Sequence, residues 1–237
     1  MQTSKAGPAS NQLLTALPCK DRNRLLAHCE PIDLIFAEVL CRPGDLITHV
    51  YFPTGSFISL VTSIDSSNLE IGMVGNEGLF GITLMLEVDI APFHAVVQGA
   101  GPALRITAEA FLHELEQSPA LQKELKRYLC ALMRQLAQTA ACSQFHRVEA
   151  RLARSLLMIH DRAHSNTFHV THVGLAYMLG VRRVGITRAA NSLQQQKLIS
   201  YRRGNVRIID RPGLEAVACS CYRADNEIYE RMMRCRR

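Results

Sequence analysis

After a polar opening segment, Leu13–Cys29 carries apolar residues at helical spacing and runs into a turn signal at Pro31. From there to about Ile106 the pattern shortens. Ile32–Leu40, Leu46–Phe52, Phe57–Ser63, Leu69–Val74, Ala95–Gln98 and Ala103–Ile106 are brief apolar or alternating runs. Pro43-Gly44-Asp45, Pro53-Thr54-Gly55, Ser66-Ser67-Asn68 and Gly99-Ala100-Gly101-Pro102 separate them. Short strands broken by Gly and Pro at even spacing predict an antiparallel roll, barrel or jelly roll. At Thr107 the pattern turns helical. Thr107–Glu116 reads as one short helix, and Ser118-Pro119 starts another, with Ser118 as cap and Pro119 in the first helical position. No Gly or Pro follows until Gly174. In this stretch Leu125, Leu129, Leu132, Leu136, Thr139 and Ser143 step by 4, 3, 4, 3, 4, which is coiled-coil spacing. The four leucines are expected to form the interface of a homodimer; the alternative is an amphipathic helix lying on its own domain. A further helix over Val148–Arg162 places Leu152, Leu156 and Ile159 on one face.

The segment from Thr171 to Ala189 is the most informative. Thr171 can cap a helix whose inner face is Leu175, Ala176 and Leu179, and Ala176 is small enough for a second helix to cross closely. Gly180 suits the positive-φ position of a tight turn. A second helix, about Arg182–Gln195, then buries Val181, Ile186 and Ala190 and presents Arg182, Arg183, Thr187, Arg188 and Asn191 on its other side. A helix that is buried on one face and guanidinium-rich on the other fits the major groove of DNA. Ile199–Ile209 follows as a hairpin with Gly204-Asn205 as its two-residue turn, and Arg202 and Arg203 stand beside that turn within reach of phosphates. Helix, turn, helix and basic hairpin together predict a winged helix-turn-helix.

Composition sharpens this reading. The chain has 237 residues, 48% hydrophobic, 20% charged and without Trp, enough for two modest cores or one large one. Its longest apolar runs are too short to cross a bilayer, and its start lacks the apolar core of a secretion signal, so a cytoplasmic location is expected. Eight cysteines scattered through a chain of this size, without an export signal, are expected to be reduced thiols. The net charge of +6 conceals an asymmetry: residues 1–145 carry −4, residues 146–237 carry +10. A basic C-terminal part points to a polyanion partner.

With these motifs in place, the chain resembles the Crp/Fnr superfamily of transcription regulators over roughly Leu13–Pro212. The match is most specific at Arg151-Leu152-Ala153, Leu179–Arg188 and the wing. The resemblance implies an α+β fold in three parts: a β-roll sensor of cyclic-nucleotide-binding type at 13–117, a long dimerisation helix at 118–145 and a winged helix-turn-helix at 146–237. It implies double-stranded DNA as partner, a homodimer on an inverted repeat, and contact with RNA polymerase if the protein is an activator. Arg183, Arg188 and Thr187 are expected at bases; Arg182, Thr171, Arg202 and Arg203 at phosphates. The family's recognition helix has an Arg-Glu-x-x-x-Arg pattern; here Arg183 and Arg188 match and Val184 replaces the glutamate. The operator should differ accordingly.

Cyclic-nucleotide-binding members of the family hold ribose with a Gly-Glu turn and phosphate with an Arg-Ser-Ala segment. Here the corresponding positions are Gly75, Asn76 and Glu77, then Phe93 and His94. A phosphate without its guanidinium loses a charge-assisted contact, so cyclic AMP is not expected to bind, and no cofactor or metal is assigned. Cys19 and Cys29 do not form the tight cluster of an iron–sulfur member. His160 and His164, with His169 and His172 nearby, are better read as helix-end residues than as metal ligands. Cys142 and His146 share helical spacing but lack an orienting acid, which argues against an enzyme. A redox- or metal-responsive regulator of the same fold is the alternative within the class. A non-DNA-binding adaptor or a β-roll enzyme is the alternative outside it. Leu214, Val217, Cys221, Ile228 and Met232 suggest one added amphipathic helix at the end.

Overall fold

The computed structural model describes residues 10–65, 67–163 and 165–234. Its elements are α1 (Gln12–Ala16), α2 (Cys19–Ala27), β1 (Glu30–Leu34), β2 (Val39–Cys41), β3 (His49–Pro53), β4 (Phe57–Ile64), β5 (Ser67–Val74), a 3-10 helix (Ile82–Leu86), β6 (His94–Gly99) and β7 (Gly101–Thr107). There follow α3 (Ala108–Gln117), α4 (Pro119–Phe145), α5 (Val148–Ala163), β8 (Thr167–His169), α6 (His172–Leu179), α7 (Arg183–Gln195), β9 (Ile199–Arg202), β10 (Asn205–Ile208), α8 (Arg211–Val217) and α9 (Cys221–Arg234). The architecture is the expected α+β one: N-terminal antiparallel strands, a long helix and a C-terminal winged helix-turn-helix.

Packing divides the chain into two units: the described residues to Leu60 with Met73–Leu129, and Val61–Gly72 with Cys130–Arg234. In the first, β1-β7-β3 form one sheet, with antiparallel pairs such as Ile32↔Ala103 and Val50↔Ile106. The second sheet has the order β2-β6-β4-β5. Leu13, Phe52, Ile58, Met73, Ile106, Phe111 and Leu125 are fully buried in this unit's core. Asn11 ties the chain start to the roll. Its Oδ1 accepts from the Leu13 and Leu14 N–H groups, and its Nδ2 donates to Pro53 O (3.0 Å) and Gly78 O (2.7 Å). One cap thus satisfies backbone groups from three segments.

Several boundaries differ from the expected ones, each for a local reason. Leu13–Cys29 is two helices, because Leu17 is extended before Pro18, as a residue preceding proline prefers. Ile32–Leu40 is two strands, parted at Ala37 with φ 65°. The expected final helix is α8 and α9, broken at Ala218–Ser220. By packing, one unit gives way to the other within α4, between Leu129 and Cys130. Tyr128 packs its ring on Gly78, while Leu132 and Leu136 lie over Gly72.

Part of the expected dimer seam is taken up by the chain's own packing. Leu125 is 0% exposed, Leu132 is buried, and Leu129 and Leu136 are half-buried, all by their own chain. Leu129 and Leu136 therefore keep some exposed surface, whereas Leu125 keeps none. The exposed positions of α4 include Cys130, Met133, Ala137, Ala140 and Gln144, which step by 3, 4, 3, 4, beside others such as Arg134, Ala141 and Phe145.

In the second unit Leu152, Leu156, Leu157, Leu175, Ile186, Leu193, Val206 and Leu214 form the core. Here β8-β10-β9 make a small sheet.

Candidate nucleic-acid interface

The Thr171 Oγ1 accepts from the Gly174 N–H at 3.0 Å and caps α6, whose Leu175, Ala176, Met178 and Leu179 are buried. Gly180 ends α6 at φ 59°, ψ 41°, in the left-handed region that spares glycine the Cβ penalty. A Cβ there would also stand 3.0 Å from the Leu69 side chain. Beneath the turn, the buried Arg151 guanidinium donates to Leu179 O, placing a cation at the C-terminal end of α6. The turn therefore has a backbone reason and an electrostatic reason for its shape.

The buried side of α7 is Ile186, Ala189, Ala190 and Leu193. Its outward side exposes Arg183, Val184, Arg188 and Asn191, with Arg182 exposed at the cap position. Thr187, expected at a base, is otherwise engaged. Its hydroxyl donates to Arg183 O at 3.1 Å and lies 3.1 Å from His172 Nδ1. His172 in turn meets Tyr201 edge-to-face at 4.5 Å, and Tyr201 Oη donates to Val170 O. Burial, and then the Arg183 charge, lowers the His172 pKa; burial raises that of Tyr201 to about 12. Thr187, His172 and Tyr201 thus join the two helices to the wing.

The wing turn is one residue earlier than expected. Arg203 and Gly204 both have positive φ (51° and 81°), as a type I′ hairpin turn demands, and Asn205 pairs with Arg202 across it. The register decides this. It sets Ile199 opposite Ile208 and Tyr201 opposite Val206, burying Val206 and Ile208; a slip by one would turn both outward. Arg203 consequently sits at the wing tip, and Arg202 beside it; both are exposed. Arg182, Arg183, Arg188, Arg202 and Arg203 form no ion pairs among the described residues.

In the first unit, Gly75, Asn76 and Glu77 lie in the turn after β5. A Cβ at Gly78 would lie 2.2 Å from the Tyr128 ring, so that ring closes directly over the turn. Phe93 and His94 are half-buried at the start of β6.

Of the histidines weighed as ligands, His164 lies outside the described residues. His160 contacts Asn166 through Nε2 and Arg211 through Nδ1, and His169 Nδ1 is 3.2 Å from Asn205 Oδ1. The cysteines are less dispersed than the sequence suggests. Cys142, Cys219 and Cys221 come together in the second unit, beside His146. The sequence signal for this is the Cys219-x-Cys221 spacing, of which only Cys221 falls on the helix face expected there.

Residues 150–217 match the Crp-like helix-turn-helix domain. No curated protein matches the chain in sequence. Among solved structures, the c-di-GMP responsive global regulator CLP of Xanthomonas campestris is 20% identical, with 81% of this chain and 99% of that one covered at a TM-score of 0.66. FixK2 of Bradyrhizobium japonicum is 11% identical, covers 81% of this chain and 98% of its own, and has a TM-score of 0.68. A CRP/FNR-family transcriptional regulator of Thermus thermophilus, TTHA1359, is 20% identical over 81% and 99%, with a TM-score of 0.65. This chain has the Crp/Fnr regulator fold and carries its Crp-like helix-turn-helix.

Proposed function

We propose that the protein is a sequence-specific transcription regulator that binds an inverted-repeat operator as a homodimer in the cytoplasm. The outward face of α7 carries this reading: Arg183 and Arg188 stand exposed on a helix whose other face is core, with Arg202 and Arg203 on the wing beside it. Arginine reads guanine O6 and N7 bidentately, and wing arginines neutralise phosphates. Val184 is 55% exposed where a glutamate would accept from cytosine, and its methyl groups suit a thymine methyl instead. An adaptor that binds protein has no use for this arrangement.

The dimer forms through the outward heptad of α4, from Cys130 to Gln144, with Met133 as its large apolar residue at 61% exposure. Its half-sites lie about one helical turn, roughly 34 Å, apart. The roll does not take cyclic AMP: Phe93 supplies no charge for the phosphate, and Tyr128 covers Gly78. Selection of binding sites from random duplex DNA tests the reading. Recovery of an inverted repeat, bound less tightly and less selectively by Arg183→Ala, supports it. Selection of no common sequence, or equal binding by Arg183→Ala, removes it.

A further inference from the structure

Cys142 and His146 lie one turn apart near the end of α4, while Cys219 and Cys221 bracket Ser220 at the break between α8 and α9. The four side chains, far apart in sequence, converge so that their ligand atoms all lie within 4.8 Å of one another. Cys142 Sγ is 3.5 Å from Cys219 Sγ, and Cys221 Sγ is 3.4 Å from His146 Nδ1. The three thiols are buried and His146 is half-buried.

We propose that these residues form a structural zinc site, with Cys142, Cys219 and Cys221 as thiolate ligands and His146 as the fourth. With zinc–sulfur bonds of about 2.3 Å and zinc–nitrogen bonds of about 2.0 Å, a tetrahedron has edges of about 3.8 Å between sulfurs and about 3.5 Å between sulfur and nitrogen. The observed separations are close to both values. Three sulfurs and an imidazole are a soft, closed donor set that favours zinc over a hard cation and leaves no open position for catalysis.

The surroundings suit thiolates. Gln138 Nε2 donates to Cys221 Sγ at 2.9 Å, the kind of outer hydrogen bond that orients a ligand. The buried Arg154, held by Asp225 Oδ2 at 2.7 Å and within 3.3 Å of Thr139 Oγ1, interacts electrostatically with Cys142 and Cys219. On binding, each thiol gives its proton to solvent and the His146 imidazole gives a lone pair. The centre then carries one net negative charge beside Arg154. A disulfide between Cys142 and Cys219 would account for two of the four groups and leave the third sulfur and the imidazole unexplained.

The site would fasten the end of α4 to the start of α9, so that the C-terminal segment becomes part of the winged unit. Metal ligation contributes directly to folding where the unfolded chain holds no preformed site. The test is to purify the full chain under reducing conditions, measure its zinc, and replace the metal with Co²⁺. One zinc per chain, and thiolate-to-cobalt charge transfer with tetrahedral visible bands, are expected. Cys219→Ser and Cys221→Ser should each lose the bound metal or alter those bands, whereas the exposed Cys19→Ser should not. Should the serine variants fail to fold, the parent protein still decides the matter. A reduced parent chain that retains no zinc after reconstitution and desalting, or shows no sulfur-to-cobalt transition, overturns the proposal. So does retention of the parent spectrum in both folded serine variants. A Cys142–Cys219 disulfide whose reduction yields no metal uptake overturns it too.

Discussion

In α7 the apolar positions Ile186, Ala189, Ala190 and Leu193 are buried and the opposite side is rich in arginine. In α4, Leu125 and Leu132 are buried by their own chain, yet Met133, Ala137 and Ala140 remain exposed on another side. One helix has a single apolar face and one polar face; the other has two faces to cover. Periodicity locates a buried face, but it does not say what buries it. For α7 the distinction has no consequence, since the face left over is basic and fits only a polyanion or water. For α4 it decides which side is left for the twin we propose.

The sharpest way to break this comparison is to damage each face of α4 separately. Leu125→Ala should cost about 2–5 kcal/mol of stability in urea unfolding, as expected for a leucine buried in its own core. Met133→Glu should instead leave each chain folded and shift sedimentation at low micromolar concentration from dimer to monomer. If Met133→Glu still sediments as a dimer, the interface lies elsewhere. Cys130 supplies an independent probe. On a parallel, in-register seam it faces its own copy, so mild oxidation should cross-link the dimer, and Cys130→Ser should abolish that product.

On α7 the expected effects are smaller. Arg183→Ala and Arg188→Ala should each cost about 1–3 kcal/mol in operator binding and relax preference at one base pair per half-site. Arg203→Ala should weaken all sequences alike and lower the salt slope by about 1, because a wing-tip arginine reads charge and not sequence. Titrations at several salt concentrations separate the two outcomes.

Weaker still is the pH dependence of the junction between helices and wing. Burial lowers the His172 pKa, so the folded chain binds that proton less readily than the unfolded chain. Its contribution is therefore complete above the ordinary histidine value of about 6.5 and is lost as pH falls through the lowered folded value. Thermal unfolding should show the winged unit losing stability as pH falls from about 6.5 towards that lowered value, and His172→Asn should flatten the trend. An unchanged slope in that variant would assign the titration to another group. No effect at all is expected from cyclic AMP: calorimetry up to about millimolar, which corresponds to only about −4 kcal/mol, should show no saturable binding. A micromolar isotherm would show that another cation takes the phosphate.

The helix-turn-helix was legible from sequence because its determinants are local. Thr171 caps, Gly180 turns, and the period of Ile186 and Ala190 leaves the arginines outward; each acts within a few residues. The wing hairpin was legible too, but not its register, since burial of Val206 and Ile208 decides between turns one residue apart. Thr187 is half-buried, and a helical wheel does not show its contact with His172, which comes from another helix. The same holds for the strands of the roll, which alternate visibly, whereas their order β2-β6-β4-β5 depends on pairings distant in sequence.

By itself, then, the sequence determined the element types, the basic C-terminal part and the helix that presents Arg183 and Arg188, because capping, turn chemistry and short-range periodicity act along the chain. Tertiary structure decided which side of α4 is left for a partner and that Cys142, His146, Cys219 and Cys221 meet. Both depend on side chains brought together from distant segments: Gly72 beneath Leu132 and Leu136, and the break after α8 placed against the end of α4. No period in the chain encodes a contact between residues more than seventy positions apart, such as Cys142 and Cys219.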